Sequence, residues 1–248
     1  MNNKILIYEK ATSSNDIARE LAKKGEEHAT AVVVLSQTSG RGRMGRSFIS
    51  SSENGLYMSI ILRPSLDMEA YKTLTAMTCV AVLRAIEKTA NVFPKIKWVN
   101  DLYLNERKIC GILAESKLGA PCFEYIICGI GVNIAPPLEG FDPEISKIAG
   151  AVFEKEAPQG YKMELCEAIL NEFFALYDSL PKKDFMKEYK LKSSIIGKAV
   201  DVYAGDSIIQ GTAIDIDENA ELVVKCSNGE VRSFNSGEAR VRKSGESL

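Results

Sequence analysis

Three arginines fall within six residues at Arg41, Arg43 and Arg46, spaced by Gly40, Gly42 and Gly45, and no acid occurs between Glu27 and Glu53. Guanidinium forks and the accessible backbone N–H groups of a glycine-rich loop suit phosphate or carboxylate. A negatively charged ligand is the natural partner; a solvated surface loop is the plain alternative. The same glycines spell G-x-G-x-x-G after a strand, but the dinucleotide fingerprint needs a helix to open at the third glycine. SFISSSENG and another strand follow instead, so that reading fails.

Two further stretches could do chemistry. Lys97-Trp98-Val99-Asn100-Asp101 sets the only tryptophan, an amide and a carboxylate together where the chain turns. Asn100 and Asp101 suit either a turn brace, through side chain to backbone bonds, or contact with a ligand or Mg2+ through oxygen. Lys108 directly precedes the apolar run ICGIL, so its ammonium either faces a cleft or snorkels to bulk water. Gly129 and Gly131 interrupt the strand CGIGVNI, and glycine inside a strand often marks a bulge or a close approach.

Other residue types are excluded as the source of reactivity. The one histidine, His28, sits in a polar connection and reads as solvated; a single His argues against zinc sites and His-based triads. The six cysteines form no CxxC pair and lie mostly among apolar neighbours, the pattern of core thiols in a reducing compartment. Arg, Lys, carboxylates, amides and backbone are left to carry any reaction.

These residues need a scaffold, and its elements are legible. KILIYEK reads as a strand, and Ser13-Ser14-Asn15-Asp16 caps a helix that runs to Gly25. Strands are expected at 31–36, 55–62, 95–99, 107–116 and 123–134, with a turn at Asn105-Glu106, and helices at 68–90, 161–180 and 184–190. Strands outnumber helices and cluster in hairpins, so the expected class is α+β, a mixed, largely antiparallel sheet packed with helices. After residue 193 five short strands alternate with turns at Gly205-Asp206, Asp217-Glu218-Asn219 and Asn228-Gly229. They predict a small C-terminal SH3-like β-barrel. The expected domains are 1–192 and 193–248.

Composition sets the outer bounds. The chain has 248 residues, 46% hydrophobic and 26% charged, with a net charge of −2, enough for a globular core without a global basic field for nucleic acid or membrane. Residues 193–248 hold six Lys/Arg against nine Asp/Glu, so a nucleic-acid module built on the Arg/Gly loop finds no net basic face in the barrel. No apolar run reaches membrane length, and MNNKILIYEK lacks a signal-peptide core. A cytoplasmic protein with neither a membrane nor a DNA partner is expected.

TSSND (12–16), SQTSGRGRMGRSF (36–48), GLYMSIILRP (55–64), KWVNDLYLNERKICGILAE (97–115) and GIGVNI (129–134) follow in that order. Together they resemble the biotin protein ligases (biotin–[acetyl-CoA carboxylase] ligases), with a class II synthetase-like catalytic domain. GTAIDIDENAELVV and GEARVR are similar to the family's C-terminal barrel. Val99 replaces the usual proline of KWPND, and Phe48 stands where tryptophan is common. The resemblance implies that biotin and ATP form biotinyl-5′-AMP and pyrophosphate, after which a lysine of a biotin carboxyl carrier protein attacks the mixed anhydride. It assigns Arg43 and Lys108 to catalysis, between two anionic reactants. Ser13, Ser14, Asn15, Gln37, Gly40, Arg41, Gly42, Arg43, Lys108 and Gly111 match biotin-binding positions. Arg43, Arg46, Phe48, Asn100, Asp101, Lys108 and Asn133 match nucleotide contacts, with Mg2+ near Asp101.

Some relatives carry an N-terminal winged helix-turn-helix. Here the pattern starts by residue 12, so a ligase without that DNA-binding domain is expected. Some relatives also dimerise by aligning sheet edges, which leaves a homodimer open. The arginine loop is expected to be mobile when empty, because it repels itself. A lipoate or octanoate ligase of the same fold is the rival enzyme, although its RR-x-x-GGG pattern is not in this sequence. A non-catalytic biotin sensor is the rival binding protein.

Overall fold

The computed structural model describes residues 4–45, 47–48, 54–119, 122–205 and 207–242. In chain order its elements are β1 (Ile5–Ala11), α1 (Ser14–Lys23), β2 (Thr30–Gln37), β3 (Gly40–Arg41), β4 (Ser47–Phe48), β5 (Gly55–Leu62), α2 (Leu74–Ala90), β6 (Lys95–Lys97), β7 (Asp101–Leu104), β8 (Arg107–Leu118), β9 (Phe123–Asn133), α3 (Tyr161–Tyr177), α4 (Phe185–Leu191), β10 (Ala199–Ala204), β11 (Ser207–Ile216), β12 (Leu222–Cys226), β13 (Val231–Phe234) and β14 (Glu238–Val241). Seven strands form one sheet in the order β1-β2-β5-β9-β8-β7-β6. Only β1 and β2 run parallel in it. The expected mixed, largely antiparallel α+β architecture is what the chain adopts.

Side-chain alternation sorts the two faces of this sheet. Leu56, Met58, Ile60 and Leu62 of β5, with Ile126, Cys128, Ile130 and Val132 of β9, join the large core under α2 and α3. Tyr57 and Ile61, with Tyr125 and Ile127, pack instead with Ala18 and Ala22 of α1. Every residue of β5 is buried, as a central strand between two helical layers must be.

Several elements differ from the sequence expectation: the strand expected over 95–99 stops at Lys97, and the Gly-rich loop carries the short β3–β4 ribbon. Met68–Thr73 is a 3-10 turn, and the α-helix begins at Leu74. Asp101–Leu104 forms a strand of its own between β6 and β8; four residues are too few to show a period. The helix from Tyr161 stops at Tyr177, and Pro181 lies in the first turn of the following 3-10 segment, where its missing N–H costs nothing.

The C-terminal strands form an antiparallel sheet in the order β13-β12-β11-β10-β14. Strand count and direction are as expected for the barrel, but among the described residues no ladder joins β13 to β14. This sheet buries Val200, Val202, Ala213, Ile216, Leu222, Val224 and Ala239 against the main core. The connecting chain is itself tied down: Ile96 N–H donates to Lys192 O, and Ser194 N–H donates to Ile96 O, both at 2.8 Å. Among the described residues no helix is long and apolar enough to cross a membrane.

His28 is exposed, as expected of a loop residue, yet it is engaged. Its Nδ1 accepts the Arg63 N–H at 3.0 Å, and its ring lies 5.6 Å from that of Tyr177. Arg63 in turn donates its guanidinium to Ala22 O and Glu26 O, supplying positive charge to carbonyls at and just beyond the end of α1. Partial burial lowers the His28 pKa from 6.5, opposed by Asp178. The unfolded chain therefore binds this proton first, and the histidine's contribution is complete above pH 6.5 and declines as pH falls below it. A urea midpoint that drops as pH falls below 6.5 is expected, with that part of the drop absent in His28→Gln. Parallel pH profiles for the two proteins would refute the role.

Candidate functional site

The face of the large sheet that carries α1 changes character partway along. On β9 this face reads Tyr125, Ile127, then Gly129, Gly131 and Asn133. Gly129 stands between Ser59 of β5 and Leu113 of β8, and Gly131 between Tyr57 and Gly111. Directly opposed residues share a face, so β5, β9 and β8 together lay a floor that is bare of side chains at Gly111, Gly129 and Gly131. A cavity of about 690 Å³ opens over it.

The glycines are required by what stands above them. A Cβ on Gly129 would lie 2.1 Å from Asn15 Oδ1, and one on Gly131 would lie 2.8 Å from the Phe48 ring. Gly111 leaves room for the Lys108 chain and the same ring, 3.1 and 3.2 Å from where its Cβ would be. The two glycines within CGIGVNI thus mark a close approach.

One end of the cavity is polar and neutral. Ser13, Ser14 and Asn15 begin α1 and are buried with Gln37 at the end of β2. Ser13 is the N-cap, but its hydroxyl makes no capping bond. Gln37 Oε1 accepts the Ser14 N–H at 2.9 Å, while the Ser59 hydroxyl bonds to Ser14 Oγ and Asn15 Oδ1 at 2.8 and 2.6 Å. Ser59 is the one polar residue in β5, and its parity turns it to this end.

The other end is charged. Lys108 Nζ sits 2.7 Å from Asp101 Oδ1 and 5.8 Å from the centroid of the Phe48 ring. Arg43 donates to Asn100 Oδ1 at 3.2 Å and reaches Gly237 O, just before β14, at 3.5 Å. Asn100 is clamped to Ile112 by its backbone carbonyl and its amide, at 2.9 and 2.8 Å. It therefore serves as a brace, the first of the two readings its position allowed, and also orients Arg43. Asn133 donates to Gly150 O at 2.9 Å and lines the cavity.

Arg41, Arg43, Lys97, Lys108 and Arg240 line the cavity against Asp101 and Glu238, so its described wall is net cationic. From β5 to β7 there are three strand spacings, about 14 Å. The site can hold an elongated ligand, neutral and polar at one end and anionic at the other.

Most of the expected site residues meet here. Gly40 is the exception among the described ones: it is buried opposite Phe48 in the β3–β4 ribbon and does not line the cavity. Arg46 lies outside the described residues. The expectation that the arginine loop repels itself omitted its counter-ions. Arg41 is held by Asp16 and Glu115, both at 3.3 Å, acids that lie outside the loop in sequence.

Sequence reasoning gave Lys97 no role of its own and missed Tyr103, Glu238 and Arg240. Lys97 donates to Tyr103 Oη at 3.3 Å, and burial holds its ammonium below the usual lysine range against the pull of Asp101 and Glu238. Burial pushes the Tyr103 phenol up to about 12. The alternation in KIKWVND and DLYL was a usable signal for the first two; nothing local marked the last pair. Cys110 is fully buried beside Gly111, and burial raises its thiol pKa well above neutrality. It is core and not nucleophile.

Residues 8–133 match the model of the Biotin/lipoate A/B protein ligase family, and residues 195–242 match that of the Biotin protein ligase C terminal domain. The Bifunctional ligase/repressor BirA of Bacillus spizizenii is 31% identical over 231 residues, 90% of this chain and 70% of that protein. The Biotin--[acetyl-CoA-carboxylase] ligase of Mycobacterium tuberculosis is 23% identical over 222 residues, 88% and 81% of the respective chains. The structure of the biotin protein ligase from Aquifex aeolicus in complex with biotin and ATP superposes with a TM-score of 0.78 at 25% identity, covering 98% of this chain and 100% of that one.

Gly129→Ala should push the Asn15 amide out of place and cost about 1–3 kcal/mol, the usual range for overpacking, in urea unfolding. An unchanged midpoint, with Asn15 undisturbed in a crystal structure of the variant, would show that the floor tolerates a methyl group.

Proposed function

Because this chain belongs to the Biotin/lipoate A/B protein ligase family, we infer how its cavity divides the work of joining biotin to protein. The protein is an ATP-dependent biotin ligase that acts through biotinyl-5′-AMP. The observation that carries the division of labour is the placement of Arg43 and Lys108 at the cationic end, across the floor from the neutral polar end.

The neutral end takes the ureido ring. That ring offers one carbonyl acceptor and two N–H donors, which Ser13, Ser14, Asn15 and Gln37 can match with hydroxyls and amides. Buried polar groups of this kind reject an analogue that leaves them unpaired, which favours biotin over lipoate or octanoate. The glycine floor passes the valeryl chain to the charged end.

There the biotin carboxylate oxygen attacks the α-phosphorus of ATP, and the bond to pyrophosphate breaks. Two anions must approach one another, and Lys108 and Arg43 neutralise the charge that builds between them. Asp101 and Asn100 hold these cations in place, which limits their reorganisation during the reaction. No side-chain nucleophile is needed. In the second step a lysine amine of a biotin carboxyl carrier protein attacks the anhydride carbonyl, and AMP leaves. Phe48, Asn100 and Asn133 complete the nucleotide side of the wall.

Magnesium fits as an ion carried in on ATP. Among the described residues no group of three His, Cys, Asp or Glu side chains could cage a metal. Mg2+ commonly takes one or two carboxylates plus phosphate oxygens, and Asp101, which lines the cavity beside Lys108, would supply one.

Pyrophosphate exchange into ATP tests the assignment. Exchange is expected with biotin and not with lipoate or octanoate; the reverse preference would overturn the substrate. Lys108→Met should lower kcat for adenylation by about 10²–10³, the scale of one oxyanion donor, with little change in the biotin KM. An unchanged kcat would remove Lys108 from the chemistry. Arg43→Ala should release biotinyl-AMP faster than the wild type, measured by filter retention, and equal retention would exclude it from closing the site.

A further inference from the structure

Glu115 lies on β8 opposite Ile127, on the same face as Gly111 and Leu113 but outside the cavity wall. One carboxylate oxygen accepts from Asn15 Nδ2 at 2.7 Å and Arg19 Nη2 at 2.8 Å. The other accepts from Arg41 Nη1 at 3.3 Å. Asp16 closes the circuit, pairing with Arg19 at 3.0 Å and with Arg41 at 3.3 Å. Two acids and two arginines therefore alternate in a ring, with every neighbour of opposite sign.

We propose that Glu115 is a positioning residue for biotin activation, a latch that fixes the polar end of the site and the arginine loop relative to each other through one carboxylate. This rests on the reading of the cavity given above. Asn15 is the link inward, because its Oδ1 accepts the Ser59 hydroxyl and its amide orientation is set by Glu115. Arg41 is the link outward, since it opens the Gly42-Arg43 segment whose guanidinium reaches Asn100. An isolated surface pair would do little. Here one carboxylate receives three donors, two of them charged, and such charge-assisted bonds are the stronger kind. Arg41 is 46% exposed and Glu115 30%, so the latch can open and remains sensitive to salt.

Glu115→Gln separates the latch from a purely structural role. The glutamine carbonyl still accepts the Asn15 amide but offers no charge to Arg19 or Arg41. The biotin KM and the rate of biotinyl-AMP release should rise together by about tenfold, the effect of losing one charge-assisted bond. Pyrophosphate exchange at saturating biotin should stay within about twofold of wild type, since Arg43 and Lys108 are intact. Added salt should speed release from the wild type more than from the variant. Arg41→Gln combined with Glu115→Gln should be no worse than either alone, and Glu69→Gln, which breaks the exposed pair with Lys72, should match the wild type. Wild-type retention by Glu115→Gln, a fall in kcat as large as the rise in KM, or additive effects of the two substitutions would each overturn the latch. Failure of the wild type to exchange pyrophosphate with biotin would overturn the reading of the cavity and the latch with it.

Discussion

A single parity along β9 decides what this molecule can do. One set of alternate residues feeds the main core throughout, while the other begins as Tyr125 and Ile127 against α1 and then loses its side chains at Gly129 and Gly131. The sheet is thereby a packing surface for half its length and a floor for the rest. A register slip of one residue would send the glycines into the core and Ile130 into the cavity. Long ladders with β5 on one side and β8 on the other prevent that slip, so the rigid middle of the fold sets the shape of the site.

Around that floor the charged end is assembled from distant stretches of chain. Trp98 is buried, and its indole N–H donates to Ala220 O at 2.8 Å, while the Tyr189 hydroxyl donates to Val99 O at 2.9 Å. The turn that presents Asn100 and Asp101 is thus wedged between α4 and the C-terminal sheet. Glu238 and Arg240 of β14 complete the wall from the far side. The small sheet belongs to the cavity as well as to the core.

Much of this was legible beforehand because the motifs are local. The Arg/Gly loop, KWVND, Lys108 and the paired glycines each show their character within a few residues, and the strands and helices announce themselves by period. What stayed hidden depends on contacts between segments. Ser59 looks like one polar residue in a strand until its parity points it at Ser14 and Asn15. Glu115 looks like a solvated strand-end acid until β8 brings it under Arg41. His28 reads as a free loop side chain because Arg63 and Tyr177 are remote in sequence. The separate strand of Asp101 to Leu104 was missed for a different reason: four residues carry too little pattern to distinguish a strand from a turn.

The hydrogen bond from Arg43 to Gly237 joins residues 194 positions apart. Contacts of such span are the slowest to form, since the intervening chain must be organised before they contribute. During synthesis on the ribosome every residue of the floor and the neutral end has emerged once β9 is out, well before the C-terminal sheet exists. A nascent chain at that stage has neither the Gly237 carbonyl that Arg43 meets nor the Glu238 and Arg240 side of the cavity wall. The cavity wall is completed only when β14 is free to pair with β10, which makes the cavity one of the last parts of the protein to be finished.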